Sequence, residues 1–511
     1  MRAPWVQTFC LFLVACPATE LVEPQQPAAA QCTQRWPLYV PNVCPEGSSP
    51  IADPPIGAVI YEEGNQLLRA DFDGCGPRRL TPCPEDGGYA SRWPMAVSAD
   101  GSWFAFYEHR SSDPRGHIIV RRSDGTGNGV VLGNGFIEPE DAFFLGGDLP
   151  SLVYGTDSTS SRQLWLASLP GGATTPISPP LAQLWAQASD GSMVVYTSTE
   201  RQFTPAVQTV VWRMEIPSST VSELGRLPQG DFVSSAVTTN DGRWAAYAWA
   251  SYTSSAAGGW AALDPRGTRV FGERPIGRLL RPGAGTDLIA VGSMAIATLQ
   301  LPEIRPRTIY QAPAGHYLSG PLTVPGTRRL LFTQRQSSQL TEPNPTGDQL
   351  LEVDLDSGSV RTLGESEGFH VAEFVSGDGR LLLESVSSRY WLSFADTSPT
   401  LESERVETLV RDRVTGRAHS LSTSARARPL GFSADSRAAV LAEPLFAEGD
   451  PAQRYSRPYR ISAYLFDEDR WVNVADLSVG VVDGYAERWH LLLAPPSHGE
   501  GEHDSGFIIG R

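Results

Sequence analysis

The 511-residue chain contains no lysine; all 41 of its basic residues are arginine. That absence removes Schiff-base chemistry and the phosphate-binding lysine of P-loop proteins from the functions open to it. GC-rich codon usage accounts for such a bias without any functional cause. Cysteine is scarce, six in all, with no C-x₂-C pair of the kind that four-cysteine zinc sites use. No apolar run approaches the ~20 residues needed to span a bilayer. Past the N-terminus no stretch keeps a 3.6-residue apolar period, so helix is expected to be scarce. Positive charge is in deficit as well. A net charge of −16 and a pI near 5.0 speak against nucleic acid or anionic membrane surfaces as partners.

What the chain has in quantity is one repeated phrase: a short Asp-Gly turn followed at once by an apolar run. It reads SADGSWFAFYE at 98–108, ASDGSMVVYTS at 188–198, TNDGRWAAYAW at 239–249, SGDGRLLLESV at 376–386 and FSADSRAAVLA at 432–442. Weaker copies sit at Asp53, Asp148, Asp287, Gly326 and Asp483, and successive anchors lie 39 to 57 residues apart. A period of this size marks stacked supersecondary units. The second half of each unit repeats too, as in HIIVRRSDGTG (117–127), QLLEVDLDSGSVRTL (349–363) and VETLVRDRVTGRAHSL (406–421). Alternating apolar residues bounded by D-G, S-G and P-G turns read as antiparallel strands, about four per unit, which is the content of one propeller blade. The fold expected is therefore all-β, a single β-propeller of four-stranded antiparallel blades. Eight blades are expected, with seven to ten in range, and the incomplete first and last units are expected to share one blade and close the ring.

The phrase DG-x-W/L-hydrophobic-A/V-hydrophobic-Y, followed by a hairpin strand ending D-x-D-S-G and an R-x-L, resembles the TolB-type propeller repeat of bacterial envelope proteins. SADGSWFAFYE and LLEVDLDSGSVRTL are the nearest matches, and the resemblance covers residues 52 to about 495. It implies a fold and an envelope setting; it implies no particular activity, because function resides in sites grafted onto folds. The N-terminus agrees. Arg2 precedes a short apolar run, Phe9 to Ala15, with the plan of a secretory signal. Leu13-Val14-Ala15-Cys16 resembles a bacterial lipobox, which implies a lipidated Cys16; an ordinary cleaved signal with an incidental cysteine is the alternative. The chain then divides into a signal (1–15), a lipid-anchor site and flexible tether with a disulfide loop (16–50), and the propeller (51–511). Removing Cys10 and Cys16 leaves Cys32, Cys44, Cys75 and Cys83, an even number in an exported chain, and disulfides are expected. Pairing neighbours gives Cys32–Cys44 and Cys75–Cys83, one of three connectivities.

Motifs that hint at chemistry have plainer explanations. Gly364-Glu365-Ser366-Glu367-Gly368 matches the nucleophile elbow G-x-S-x-G, which requires a strand–turn–helix context. Here a strand precedes and another follows, so a loop is expected, with His370 and Asp378 downstream in the wrong order for a hydrolase. The tail 497–504 gathers His498, Glu500, Glu502, His503 and Asp504, but among glycines that would not hold a preformed metal site. Asp71-Phe72-Asp73-Gly74 and Asp354-Leu355-Asp356-Ser357-Gly358 lack the full calcium loop, and a hairpin turn uses the same residues. The recurring Asp100, Asp190, Asp241, Asp378 and Asp435 are expected to bond their own turns. Trp103, Tyr107, Tyr196, Trp244 and Tyr247 are expected to pack between blades. No catalytic, metal or cofactor site is assigned. The long irregular excursions 109–117, 198–209, 335–348, 386–406 and 444–460 are the expected recognition loops. Arg454, Tyr455, Arg457 and Tyr459 in the last are the candidate partner-binding residues. The function expected is a monomeric, membrane-anchored envelope module, periplasmic or outer-membrane, that binds a protein or peptide or acts as a scaffold. An envelope hydrolase or lyase with a central-channel active site and a structural surface protein without a discrete site are the alternatives.

Overall fold

A computed structural model describes the chain from residue 38 to residue 494, apart from 41–42, 49, 84–89 and further stretches, the longest being 135–141, 201–207, 252–257, 337–346 and 446–455. Among the described residues there is no helix, and none therefore that could cross a membrane. The strands form nine antiparallel blades and one separate two-stranded hairpin. In eight blades the strands follow chain order, here termed a to d. The a strands of successive blades adjoin one another, which makes them the inner strands.

The remaining blade closes the ring. Its a strand is Leu491–Ala494 from the end of the chain, paired with Ala58–Glu63 from the beginning, Ala58 opposite Ala494 and Tyr61 opposite Leu491. Ten sequence anchors thus yield nine blades, because the units beginning at Asp53 and Asp483 share one. The count is nine rather than eight, within the expected range of seven to ten. The weak units at Asp148, Asp287 and Gly326 build complete blades (strands from Ala142–Leu145, Arg278–Leu280 and His316–Thr323 onward), because a blade needs its apolar strands rather than its Asp-Gly turn.

The repeated turn has a common internal structure. Ser376 Oγ donates to Asp378 Oδ1 at 2.5 Å, Asp378 Oδ1 accepts the Arg380 N–H at 3.0 Å, and Ser376 Oγ accepts the Leu381 N–H at 2.8 Å. Ser98–Asp100, Thr239–Asp241 and Ser433–Asp435 repeat the pair, at 2.5, 2.6 and 2.7 Å. The motif is therefore Ser/Thr-x-Asp-Gly/Ser, with hydroxyl and carboxylate both capping backbone donors. These turns also touch around the ring: Asn240 Nδ2 donates to the Pro282 and Gly285 carbonyls, Arg328 pairs with Asp287, and Asp435 Oδ2 accepts the Ile56 N–H.

The outer strands share a second device. In six blades one residue of strand d bulges out of register: Leu132, Leu224, Ile309, Leu363, Leu421 and Val474. All six are apolar and buried or partly buried. Leu363 is the Leu of the R-x-L phrase, so that phrase marks the bulge. The Tyr of the repeat fits against it from the next blade. Tyr154 donates to the Leu132 carbonyl at 3.2 Å, and a Cβ on Gly225, beside Leu224, would fall 2.0 Å from Tyr247 Oη. Trp103, Tyr107, Tyr196, Trp244 and Tyr247 all lie in the apolar clusters between blades.

The predicted cysteine pairing is corrected in part. Cys44 bonds Cys75, with Cα atoms 5.0 Å apart. The expected pairs Cys32–Cys44 and Cys75–Cys83 are therefore replaced. The segment after residue 38 runs along the outer edge of the closing blade, where the Tyr39 N–H donates to the Arg79 carbonyl and Ser48 Oγ to the Cys75 carbonyl. That path brings Cys44 to Cys75. Cys83 is also disulfide-bonded; Cys16 and Cys32 lie outside the described residues.

Candidate functional site

Strands alternate direction within a blade, so every b–c connection leaves the ring at the same end. The excursions 109–117, 198–209, 335–348, 386–406 and 444–460 each join a b strand to a c strand. They therefore share one face, opposite the Ser/Thr-x-Asp turns. Part of 386–406 is ordered as the extra hairpin, Tyr390–Ala395 paired with Ser398–Ser403. Arg454 and Tyr455 lie outside the described residues, and Arg457 is placed only as a backbone position in strand Ser456–Leu465. Tyr459 is corrected: it is 0% exposed, within the core between the ninth and the closing blade. Its strand alternation points it inward, so it cannot meet a partner at the surface.

The G-x-S-x-G stretch begins as the end of strand Val360–Glu365, and its Ser366 and Gly368 lie between that strand and His370–Val375, a strand-to-strand context rather than strand–turn–helix. Ser366 Oγ donates to the carbonyls of Gly368 and Phe369, at 3.0 Å each, which occupies its proton locally. Asp354 Oδ1 accepts the N–H groups of Asp356 and Ser357 and the Ser357 hydroxyl, the work of a turn rather than of a calcium loop. Hydrogen bonds from Ser357 hold its carboxyl below the usual range. Cys44, Asp73 and Cys75 converge, but the two sulfurs are spent on each other. The His498–Asp504 tail lies outside the described residues.

Counting the closing blade as the first, the eighth is built from His370–Val375, Leu381–Ser387, Val406–Asp412 and Ala418–Ser422. The polar groups that do converge sit on its two sides. Toward the seventh, His370 Nε2 lies 2.7 Å from Glu384 Oε2, and Arg411 clasps the same carboxylate with Nε and Nη2 at 2.6 and 3.0 Å. Asp348 accepts the His370 N–H at 3.1 Å and meets Arg335 at 2.8 Å. His370 is 1% and Glu384 0% exposed, and a Cβ on Gly364 would lie 2.5 Å from His370 Cε1. A ring so closely covered, with its carboxylate clasped by arginine, serves to join blades and has no room to meet a substrate.

Toward the ninth blade the polar groups are left less complete. Glu373 is the bulged residue of inner strand His370–Val375, skipped between the pairs Ala372–Glu384 and Phe374–Leu383. Burial pushes its carboxyl above the usual range, opposed by a hydrogen bond from Ser385 and by the charge of Arg428 on the ninth blade's inner strand. Ser385, Thr408 and Ser422 lie opposite one another across three strands and are all buried. Among the described residues the Thr408 hydroxyl has no hydrogen-bond partner. Sequence analysis missed these groups. The available signal was a glutamate inside an otherwise apolar strand: Glu352 in LLEVD, Glu373 in HVAEFV and Glu384 in LLLESV.

No family model and no curated protein matches the chain. Among solved structures it is similar to an oligogalacturonate lyase from Vibrio parahaemolyticus, at 11% identity over 77% of this chain and 94% of that one, with a TM-score of 0.40. TolB from Acinetobacter baumannii is similar at 14% identity over 62% of this chain and 64% of its own, with a TM-score of 0.28. Dipeptidyl peptidase 4 from Porphyromonas gingivalis is similar at 9% identity over 80% of this chain and 66% of its own, with a TM-score of 0.45.

Proposed function

We propose that the protein is an exported, lipid-anchored β-propeller that binds a protein or peptide partner in the cell envelope through the face bearing the b–c connections. One observation carries this reading: the five longest excursions from the repeat all emerge at one end of a ring whose opposite end is tied turn to turn. A rigid scaffold with variable loops on one face is the usual arrangement for recognition. The lipid on Cys16 and the tether after it would hold the ring near its membrane. Crosslinking in the native envelope, read by mass spectrometry, tests the proposal. A reproducible partner whose crosslinks map to 198–209, 335–348, 386–406 or 444–460 is the expected result; crosslinks confined to the Asp-turn face would overturn it.

The rival reading is an envelope hydrolase or lyase acting in the central channel. It draws on Glu373, a carboxyl held toward its protonated form on an inner strand. Turnover of an envelope polymer that is lost in Glu373→Gln would favour it.

A further inference from the structure

The N-terminal segment is strapped to the outer edge of the closing blade. Leu38 bridges Arg79 of that blade's last strand, Arg78–Arg79, in parallel, and the Tyr39 N–H donates to the Arg79 carbonyl at 2.8 Å. Arg78 donates to the Val40 carbonyl. The Tyr39 ring meets two guanidinium groups, Arg69 at 4.9 Å and Arg78 at 5.3 Å from its centroid. The Cys44–Cys75 bond and the Ser48 hydroxyl, 2.9 Å from the Cys75 carbonyl, fix the far end of the strap. Tyr39 is thereby turned toward the second blade, against the cluster that holds Leu67, Leu80 and Phe104. Its neighbours are turned the other way, as extended backbone requires: Leu38 is 56% and Val40 47% exposed. Val43, 58% exposed, stays beside them through a turn in which its N–H donates to the Val40 carbonyl at 3.4 Å. Apolar side chains scattered singly over a surface need no explanation, but three within six positions of one stapled strap form a patch.

We infer that this strip rests on the lipid bilayer that anchors the chain, with Leu38, Val40 and Val43 entering the interface between headgroups and acyl chains. The inference rests on the lipid at Cys16 in the reading above and adds a second membrane contact to it. The occupant follows from where the strap begins. Residues 17–37, 21 in all, separate Cys16 from Leu38. An irregular chain of that length has a root-mean-square span of about 25 Å. A lipid on Cys16 therefore holds the strip beside the bilayer at high local concentration, where three side chains suffice that would not bind a membrane alone. The contact is apolar rather than electrostatic. Arg69 pairs with Asp71 at 2.8 Å and Arg78 with Asp73 at 3.6 Å, so anionic lipid is not required, in keeping with a net charge of −16. The ring then stands edge-on upon its closing blade. Both of its faces stay clear of the membrane, and the b–c face is left open to a partner.

Photolabelling of the full chain from the lipid side tests this. The protein is reconstituted in vesicles of zwitterionic phosphatidylcholine bearing a diazirine on one acyl chain, and its intact mass first reports whether Cys16 carries lipid. After irradiation, the strip 38–43 is expected to carry the most lipid adducts of any part of the ring, located by fragmentation in the mass spectrometer. Val40→Asp and Val43→Asp, exposed changes that spare the core, should each cut that labelling about tenfold with the melting temperature and the Cys16 lipid unchanged. An acylated protein whose adducts fall elsewhere, or whose labelling ignores both variants, overturns the inference and leaves the anchor standing. So does a strip that crosslinks in the native envelope to a protein instead of to lipid. A Cys16 without acyl chains removes the anchor, and this contact with it.

Discussion

Arg413 of the eighth blade lies with Nε 2.9 Å from Glu352 Oε2 of the seventh, both side chains almost wholly buried. Arg329 and Arg361 hold the other oxygen at 3.0 and 2.9 Å. Burial alone would raise the Glu352 carboxyl, but hydrogen bonds from Arg361 and Arg413 outweigh it and hold the group below its ordinary value. Removing one partner of such a pair strands a buried charge. Glu352→Ala is expected to cost about 3–5 kcal/mol, seen as a lower midpoint in urea. A depressed carboxyl contributes stability that is present above its unfolded pKa and lost as pH falls through the folded one. The difference between wild type and Glu352→Ala should therefore shrink in acid, starting below about pH 4.5.

Glu373 carries the opposite sign. Its raised carboxyl favours the folded state while protonated, and that advantage fades as pH rises from the unfolded value toward the folded one. Glu373→Gln should accordingly gain stability relative to wild type at neutral pH and match it in acid. A pH series of melting temperatures checks this; a constant offset across the series would contradict it.

Ring closure depends on four residues of the last strand. Leu492 is fully buried and lies opposite Ile60. Leu492→Pro removes a ladder donor and distorts the strand, at a cost of about 3 kcal/mol or more. The first and last blades should then exchange amide hydrogens before the rest of the ring, measured peptide by peptide.

The turn carboxylates bind their own backbone. Asp378→Ala should cost about 1 kcal/mol, and Ser376→Ala a similar amount, by thermal melting. Chelation by EDTA should leave the melting temperature unchanged, since hydrogen bonds from Ser102 and Ser357 already satisfy Asp100 of the repeated turn and Asp354 of the D-x-D-S-G hairpin turn.

Much of this architecture was legible in the chain. A blade is a local object: four short strands, three turns and an alternating apolar pattern, all written within about fifty residues. Asp100, Asp241, Asp378 and Asp435 announced the turns, whereas the bulge at Leu363, in the R-x-L phrase, became visible only from the strand register. The blade count was harder, because turn chemistry had faded at Asp148, Asp287 and Gly326 while the strands persisted. Tyr459 was misjudged for a related reason: RYSRPYR reads as a polar loop, but strand Ser456–Leu465 extends through it and alternation turns the tyrosine inward.

The sequence alone determined the class of fold, the scarcity of helix and the sharing of one blade by the first and last units, because these follow from local pattern and period. Tertiary structure decided everything that depends on which blades are neighbours. It set the number nine, the Cys44–Cys75 bond across 31 positions and the Arg413–Glu352 pair across 61. Those relations depend on how each blade's twist packs against the next around a closed ring, a geometry that no single repeat contains.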